Sequence, residues 1–148
     1  MVVQQRDEYE IGQLISRFAN SFDLKAWDNL SLCLADSIYT DYSELRNTLP
    51  ETMTKEEFVK LRIEALKDLK THHLASNMEF SLKEKSCDAK VSMVIFRKNE
   101  AQEVFNTHCL YYFGFIKIDG AWLINSIKQK VFWSDGLGAI HKGVKIPN

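Results

Sequence analysis

Three short stretches of this 148-residue chain hold side chains of the types that move protons. In residues 21–28 (Ser-Phe-Asp-Leu-Lys-Ala-Trp-Asp), Asp23 stands where one amphipathic pattern ends and a second begins. It falls one residue beyond the apolar stripe, at or near a helix C-terminus, where the backbone carbonyls disfavour a negative charge. In the second stretch Tyr42 follows Asp41, and in the third His73 closes Thr71-His72-His73. A neutral imidazole is a base matched to neutral pH, and a phenol can stabilise the negative charge that develops on a carbonyl oxygen. Together the three stretches suggest a small, cavity-type lyase or isomerase. Each residue also has a plainer reading: a helix-end acid can be a cap, a strand histidine a packed residue, and Tyr42 a core aromatic.

Other chemistries find no support in the residue pattern. Cys33, Cys87 and Cys109 are odd in number and far apart, which is neither a disulfide framework nor a zinc-site spacing. They read as small buried hydrophobes in a reducing compartment. There is no G-x-S-x-G elbow, no G-x-G-x-x-G after a strand and no lysine-bearing phosphate loop, so no cofactor and no metal is expected. Nineteen basic against twenty acidic residues leave a net charge of −1, which disfavours nucleic acid and anionic membranes as partners. The chain start turns polar too early for a signal peptide, and no apolar run approaches the roughly 20 residues of a membrane span. The expectation is a soluble, cytoplasmic protein.

The elements that must position these residues follow from periodicity. At 148 residues and 45% hydrophobic content the chain suits one domain with a proper core. Asp7 and Glu10 stand as a capping box ahead of Ile11, Leu14, Ile15, Phe18, Ala19 and Phe22 at helical spacing. Trp27, Leu30 and Leu34 predict a second, shorter helix, broken at Ala35-Asp36. Residues 38–43 read as a strand with Thr40 and Tyr42 on one face, and residues 44–53, which include Pro50, as a loop. Thr54 and Glu57 form another capping box, before a third helix with Phe58, Leu61, Ala65 and Leu69 on its apolar face.

From Thr71 the period changes to two, placing His73, Ala75 and Asn77 on one face and His72, Leu74 and Met78 on the other. Strands over 91–96, 104–118 and 121–133 follow, with Asp119-Gly120 as a hairpin turn, in an antiparallel meander. The fold expected is α+β: a curved antiparallel sheet wrapped around three N-terminal helices, leaving a hollow between them. Residues 134–148 are glycine-rich and read as a tail or lid.

Taken in order, Ser-Phe-Asp-x-Lys-x-Trp-Asp, Asp41-Tyr42, Thr-x-His at 71–73, Lys117-Ile118-Asp119-Gly120-Ala121-Trp122 and Trp133 resemble scytalone dehydratase in kind and approximate spacing, over most of the chain. That enzyme belongs to the nuclear transport factor 2-like superfamily, with the SnoaL-like polyketide cyclases. The resemblance implies a single SnoaL-like domain over residues 1–148, a cone-like α+β fold enclosing a central cavity. It also implies that His73 acts as general base or acid, that Asp23 orients it, and that Tyr42 helps hold a water against the substrate carbonyl.

The departures are specific. The family's second histidine, on the strand after the first, is missing, since no histidine lies between His73 and His108. Arg97 or Lys98 falls in that region and could stabilise an oxyanion, but neither shuttles a proton near pH 7. A family tyrosine just before the aspartate is Phe22, and a Ser and an Asn on the penultimate long strand align with Cys109 and Tyr111. His108 lies on the face opposite Cys109.

The candidate catalytic residues are therefore His73, Asp23 and Tyr42, with Phe22, Arg97, Cys109, Tyr111, Asn77 and Trp133 as candidate substrate-binding residues. The activity expected is that of a cofactor-independent lyase (dehydratase) or isomerase/cyclase, on a small cyclic carbonyl compound of polyketide or terpenoid type other than scytalone itself. The alternatives are a non-catalytic binder of a small hydrophobic ligand and a structural, dimerising module whose hollow is filled by Phe and Met. A homo-oligomer, dimer or trimer, is expected under all three.

Overall fold

The computed structural model describes residues 2–145. Helix α1 (Val2–Asp23) lays Ile11, Leu14, Ile15, Phe18 and Phe22 along the sheet. It starts five residues before Asp7, so the expected capping box at Asp7 is not its N-terminus. Asp7 is buried and serves a distant partner instead, accepting hydrogen bonds from Trp122 Nε1 (3.0 Å) and Lys117 Nζ (3.1 Å). The Trp122 bond is the main cause that holds its carboxyl below the ordinary range. Helix α2 (Trp27–Leu32) completes the hairpin.

Strand β1 (Leu34–Asp41) begins earlier than expected and ends before Tyr42. The expected loop over 44–53 contains a short helix, α3 (Ser43–Arg46), and a strand, β2 (Glu51–Thr54). Asp41 sets up this turn by accepting from the Ser43 amide (3.1 Å) and hydroxyl (2.7 Å), a local side-chain motif without hydrophobic periodicity. Helix α4 (Lys55–Leu66) starts where its capping box predicts, with Thr54 Oγ1 accepting from the Glu57 amide at 3.2 Å.

Four long strands follow: β3 (Lys70–Leu82), β4 (Ser86–Lys98), β5 (Phe105–Ile118) and β6 (Ala121–Gly136). The sheet order is β2-β1-β6-β5-β4-β3, and it differs from a pure meander in one respect: β1 pairs with β6 in parallel. Bulges at 76/79 on β3 and opposite 114/115 and 108/109 on β6 bend the sheet into the curved, unclosed wall that packs on α1. After β6 the chain forms a 3₁₀ turn (Gly138–Ile140) and runs back over α3, where the Lys145 amide donates to Arg46 O (2.9 Å) and Asn47 Nδ2 to Lys145 O (2.7 Å). The expected tail thus divides between the end of β6 and this strap; residues 146–148 lie outside the described residues. Among the described residues no helix is long and apolar enough to cross a membrane.

Candidate active site

Asp23 is delivered by the way α1 ends. The Ala26 amide donates to Ser21 O (2.8 Å) and the Lys25 amide to Phe22 O (3.1 Å), with Lys25 left-handed at φ 52°. This is a Schellman closure with lysine at the position that favours glycine. It leaves Asp23 as the last helical residue, beside the first residues of β3. The helix end disfavours the charge, and β3 supplies the compensation. Thr71 Oγ1 donates to Asp23 Oδ1 (2.9 Å), the His73 amide to Oδ2 (2.8 Å), and His73 Nδ1 lies 2.6 Å from Oδ1.

A carboxylate only accepts, so the proton sits on Nδ1 and Nε2 carries the lone pair. Burial holds the His73 imidazole below its ordinary pKa; the Asp23 hydrogen bond and charge oppose this, and Arg97 and His72 add to the lowering. Its ring stacks on Phe22 (5.0 Å between centroids, 24° between planes), which fixes the second ring direction.

His73 is level with Ile95 across the β3–β4 ladder and Thr71 with Arg97, so Arg97 stands diagonally across from His73 on the same face. Arg97 is buried, with Nη1 donating to Thr107 Oγ1 (2.8 Å) and Phe105 O (3.4 Å). Burial lowers its guanidinium to about 10, still cationic at neutral pH. Tyr111 stands on the next strand, and burial raises its phenol well above the ordinary value, so it remains a neutral hydroxyl. Tyr42, buried just past β1, meets Tyr111 edge-on at 6.3 Å.

Phe22, Tyr42, His73, Arg97 and Tyr111 line one small cavity, so five of the expected site residues meet there, with Asp23 behind His73. The cavity is small, about 20 Å³, room for about one water molecule. It is closed by four residues that sequence reading missed: Arg46 on α3, Arg62 on α4, Gln129 on β6 and His141 on the strap. Tyr42, Arg46 and Arg62 also line an outer depression of about 340 Å³, and so form the partition between the two spaces. A larger depression, about 600 Å³, lies among Tyr39, Lys90, Tyr112 and Lys128, and none of Asp23, Tyr42 or His73 lines it.

The missed residues differ in how visible they were. Arg62 falls four residues after Phe58 and four before Leu66, on the apolar stripe of α4; it is buried where Leu61, expected there, is exposed. Gln129 alternates inward with Ile127. Arg46 and His141 stand in a four-residue helix and a glycine-rich strap, without periodic signal.

Three expected binding residues lie elsewhere. Cys109 is buried but does not line the cavity, and sits against Gln129 (Nε2 to Sγ, 3.5 Å). All three cysteines are buried and free, their thiols raised to about 11 by burial. Asn77 is exposed at the β3 bulge, with φ 50°; the bulge turns Met78, Phe80 and Leu82 inward in place of Asn77 and its alternates. Trp133 is 55% exposed, because the extra residue Phe132 shifts it into register with His108, on whose ring it stacks at 4.2 Å. Among the described residues no group of three or more His, Cys, Asp or Glu gathers as metal ligands would.

The SnoaL-like domain pattern matches residues 4–128. The chain belongs to the SnoaL-like family. Among curated relatives of this SnoaL-like chain, the scytalone dehydratase-like protein mdpB of Emericella nidulans is 29% identical over 133 residues, covering 80% of this chain and 61% of that protein. The SnoaL-like chain thus spans under two thirds of that relative's length. Among solved structures, the Kfla4162 protein from Kribbella flavida has a TM-score of 0.88 at 15% identity, covering 93% of this chain and 97% of that one. The hexachlorocyclohexane dehydrochlorinase LinA-type3 from Novosphingobium barchaimii LL02 has a TM-score of 0.76 at 13% identity, covering 98% and 97%. These structural likenesses show the fold, which is that of the nuclear transport factor 2-like proteins.

Proposed function

We propose that this SnoaL-like protein is a cofactor-independent lyase (dehydratase) or isomerase/cyclase that removes a proton beside the carbonyl of a small cyclic compound of polyketide or terpenoid type. The observation that carries this reading is the Asp23–His73 pair at 2.6 Å, with a neutral imidazole whose Nδ1 is occupied and whose ring lines the cavity. His73 Nε2 takes the proton from the carbon, and the bonding electrons move onto the carbonyl oxygen. Arg97 and the Tyr42 hydroxyl face that oxygen as donors, stabilising the enolate in a site where water is scarce. The imidazolium then returns the proton, to a departing hydroxyl in a dehydration or to another carbon in an isomerisation. Names among the relatives support the class: a scytalone dehydratase-like protein and a dehydrochlorinase both indicate eliminations.

Two features favour this over the alternatives. A binder of a hydrophobic ligand has no need of an acid that accepts three hydrogen bonds in order to orient one imidazole. A purely structural hollow would be filled by Phe and Met with no room for a ligand; this one holds only about 20 Å³, but polar Arg46, Arg62, Gln129 and His141 line it beside the apolar residues. The test is deuterium incorporation from D₂O at the carbon next to the carbonyl of small cyclic ketones. Wild-type protein is expected to accelerate exchange, and His73→Ala, with an unchanged circular dichroism spectrum, to lower the rate by about 10²- to 10⁴-fold. Asp23→Asn should lower it too. Equal exchange by wild type and His73→Ala would defeat the assignment.

A further inference from the structure

Three guanidinium groups converge on the cavity, from three separate elements: Arg46 from α3, Arg62 from α4 and Arg97 from β4. Arg62 and Arg97 are buried and Arg46 is half-buried; buried arginines are ordinarily matched by carboxylates, because an unpaired buried charge is costly. Among the described residues none of the ion pairs includes any of these three. Among the described residues no acid lines the cavity, and Asp23, behind His73, already accepts from Thr71 and His73.

What the arginines do have is incomplete. Arg62 lies over the rings of Tyr42 (4.5 Å) and Phe58 (4.2 Å), Arg46 over Tyr42 (4.9 Å) and Arg97 over Phe105 (5.0 Å). Such contacts recover less than the desolvation of a charge costs. Arg46 Nε and Gln129 Oε1 are buried with no hydrogen-bond partner. The three cations also act on one neighbour: after burial itself, Arg46, Arg97 and Arg62 are the causes that lower His141 to about 2, so His141 stays neutral and adds no fourth positive charge. Its Nδ1 accepts from the Gly143 amide at 3.0 Å, which leaves the proton on Nε2. Acids appear only farther out, where Glu51 and Glu64 share the outer depression with Lys142 and Lys145.

We infer that the pocket takes a carboxylate-bearing substrate, with the carboxylate held by Arg46 and Arg62 at the partition and the reactive carbon facing His73. This deepens the lyase reading, on which the placement of the reactive carbon rests. Two guanidinium forks match the planar carboxylate by paired N–H donors, and a ligand anion supplies the countercharge that the fold omits. Arg97, tethered by Thr107 on the His73 side, is left for the carbonyl oxygen. The ligand needs more room than about 20 Å³, and the adjoining depression of about 340 Å³, bounded by the same Tyr42, Arg46 and Arg62, takes the part remote from the reactive carbon.

The experiment is calorimetric titration of the full chain with 2-naphthoate and with its neutral counterpart 2-naphthamide. The carboxylate is expected to bind at least about tenfold more tightly, and Arg62→Gln and Arg46→Gln each to weaken it by about ten- to a hundredfold, the worth of a charge-assisted hydrogen bond. Arg62→Met without ligand should unfold at the same temperature as wild type or higher, since it removes an unpaired buried charge, whereas an arginine with only a packing role would leave it less stable. Equal affinity for acid and amide, no binding of naphthoate at millimolar concentration, or unchanged affinity in both glutamine variants would overturn the inference. His73→Asn separates the two proposals: it should retain naphthoate binding while losing exchange. Proton exchange on neutral ketones without any preference for naphthoate would sink the carboxylate site and leave the lyase reading standing.

Discussion

The two ends of the cavity are built on opposite terms. At the Asp23–His73 end, the carboxylate accepts from Thr71 Oγ1, the His73 amide and Nδ1, and the imidazole is wedged by Phe22. At the Arg46–Arg62 end, charged groups face aromatic rings, Arg46 Nε has no partner, and a strap of chain rather than a sheet closes the wall. The first end is complete without a ligand and holds one geometry. The second is complete only with an anion. The difference separates a part that must not move, the base, from a part that pays for substrate recognition with stability.

This contrast can be broken from either side, and the largest effect is expected at the satisfied end. Asp23→Ala leaves three donors facing no acceptor and should lower the unfolding free energy by about 3 kcal/mol in urea titration. A loss below about 1 kcal/mol would mean that the network is not what holds β3 against α1.

Protonation probes the other end. His141 is lowered to about 2, so below the ordinary histidine pKa of 6.5 the unfolded chain takes up a proton that the folded chain refuses. Stability therefore falls as pH drops, by about 2 kcal/mol between pH 6.5 and 5 from His141 alone, with His73 acting in the same direction. His141→Gln should remove that part of the slope; an unchanged slope would place the strap elsewhere in solution. The smallest effect is expected on the far face of the sheet. Trp133→Ala should leave exchange activity within about twofold of wild type and stability within about 0.5 kcal/mol, the range for surface positions.

The same division governs what could be read from the sequence. The family, the α+β class, the helix hairpin and the Asp23–His73 face follow from motif order and from periods of 3.6 and 2, which express burial of one side of each element. Tyr42 follows from the resemblance, which leaves Arg97 and Lys98 both open; the alternation of β4 buries Arg97 and exposes Lys98. Asn77 lies outside the cavity because strict alternation ends at the β3 bulge, and Trp133, proposed by the resemblance alone, because the extra residue at 132 reverses its face. The Asp7 capping box failed because its carboxylate has a partner 115 residues away, Trp122. The arginine end is hidden in the sequence because arginines ordinarily lie exposed. Arg62 occupies an apolar position of α4, while Arg46 and His141 are placed by an Asx-type turn and by tertiary hydrogen bonds with no local pattern.

The central claim is that Asp23 holds His73 as a neutral base with its Nε2 lone pair available to a substrate. A two-bond ¹H–¹⁵N correlation spectrum of the imidazole nitrogens at pH 7 tests it directly. The account predicts a protonated Nδ1, a bare Nε2 and titration below pH 6.5, with the Nδ1 proton shift lost in Asp23→Asn. An Nε2-protonated tautomer, or an imidazolium at pH 7, would contradict it.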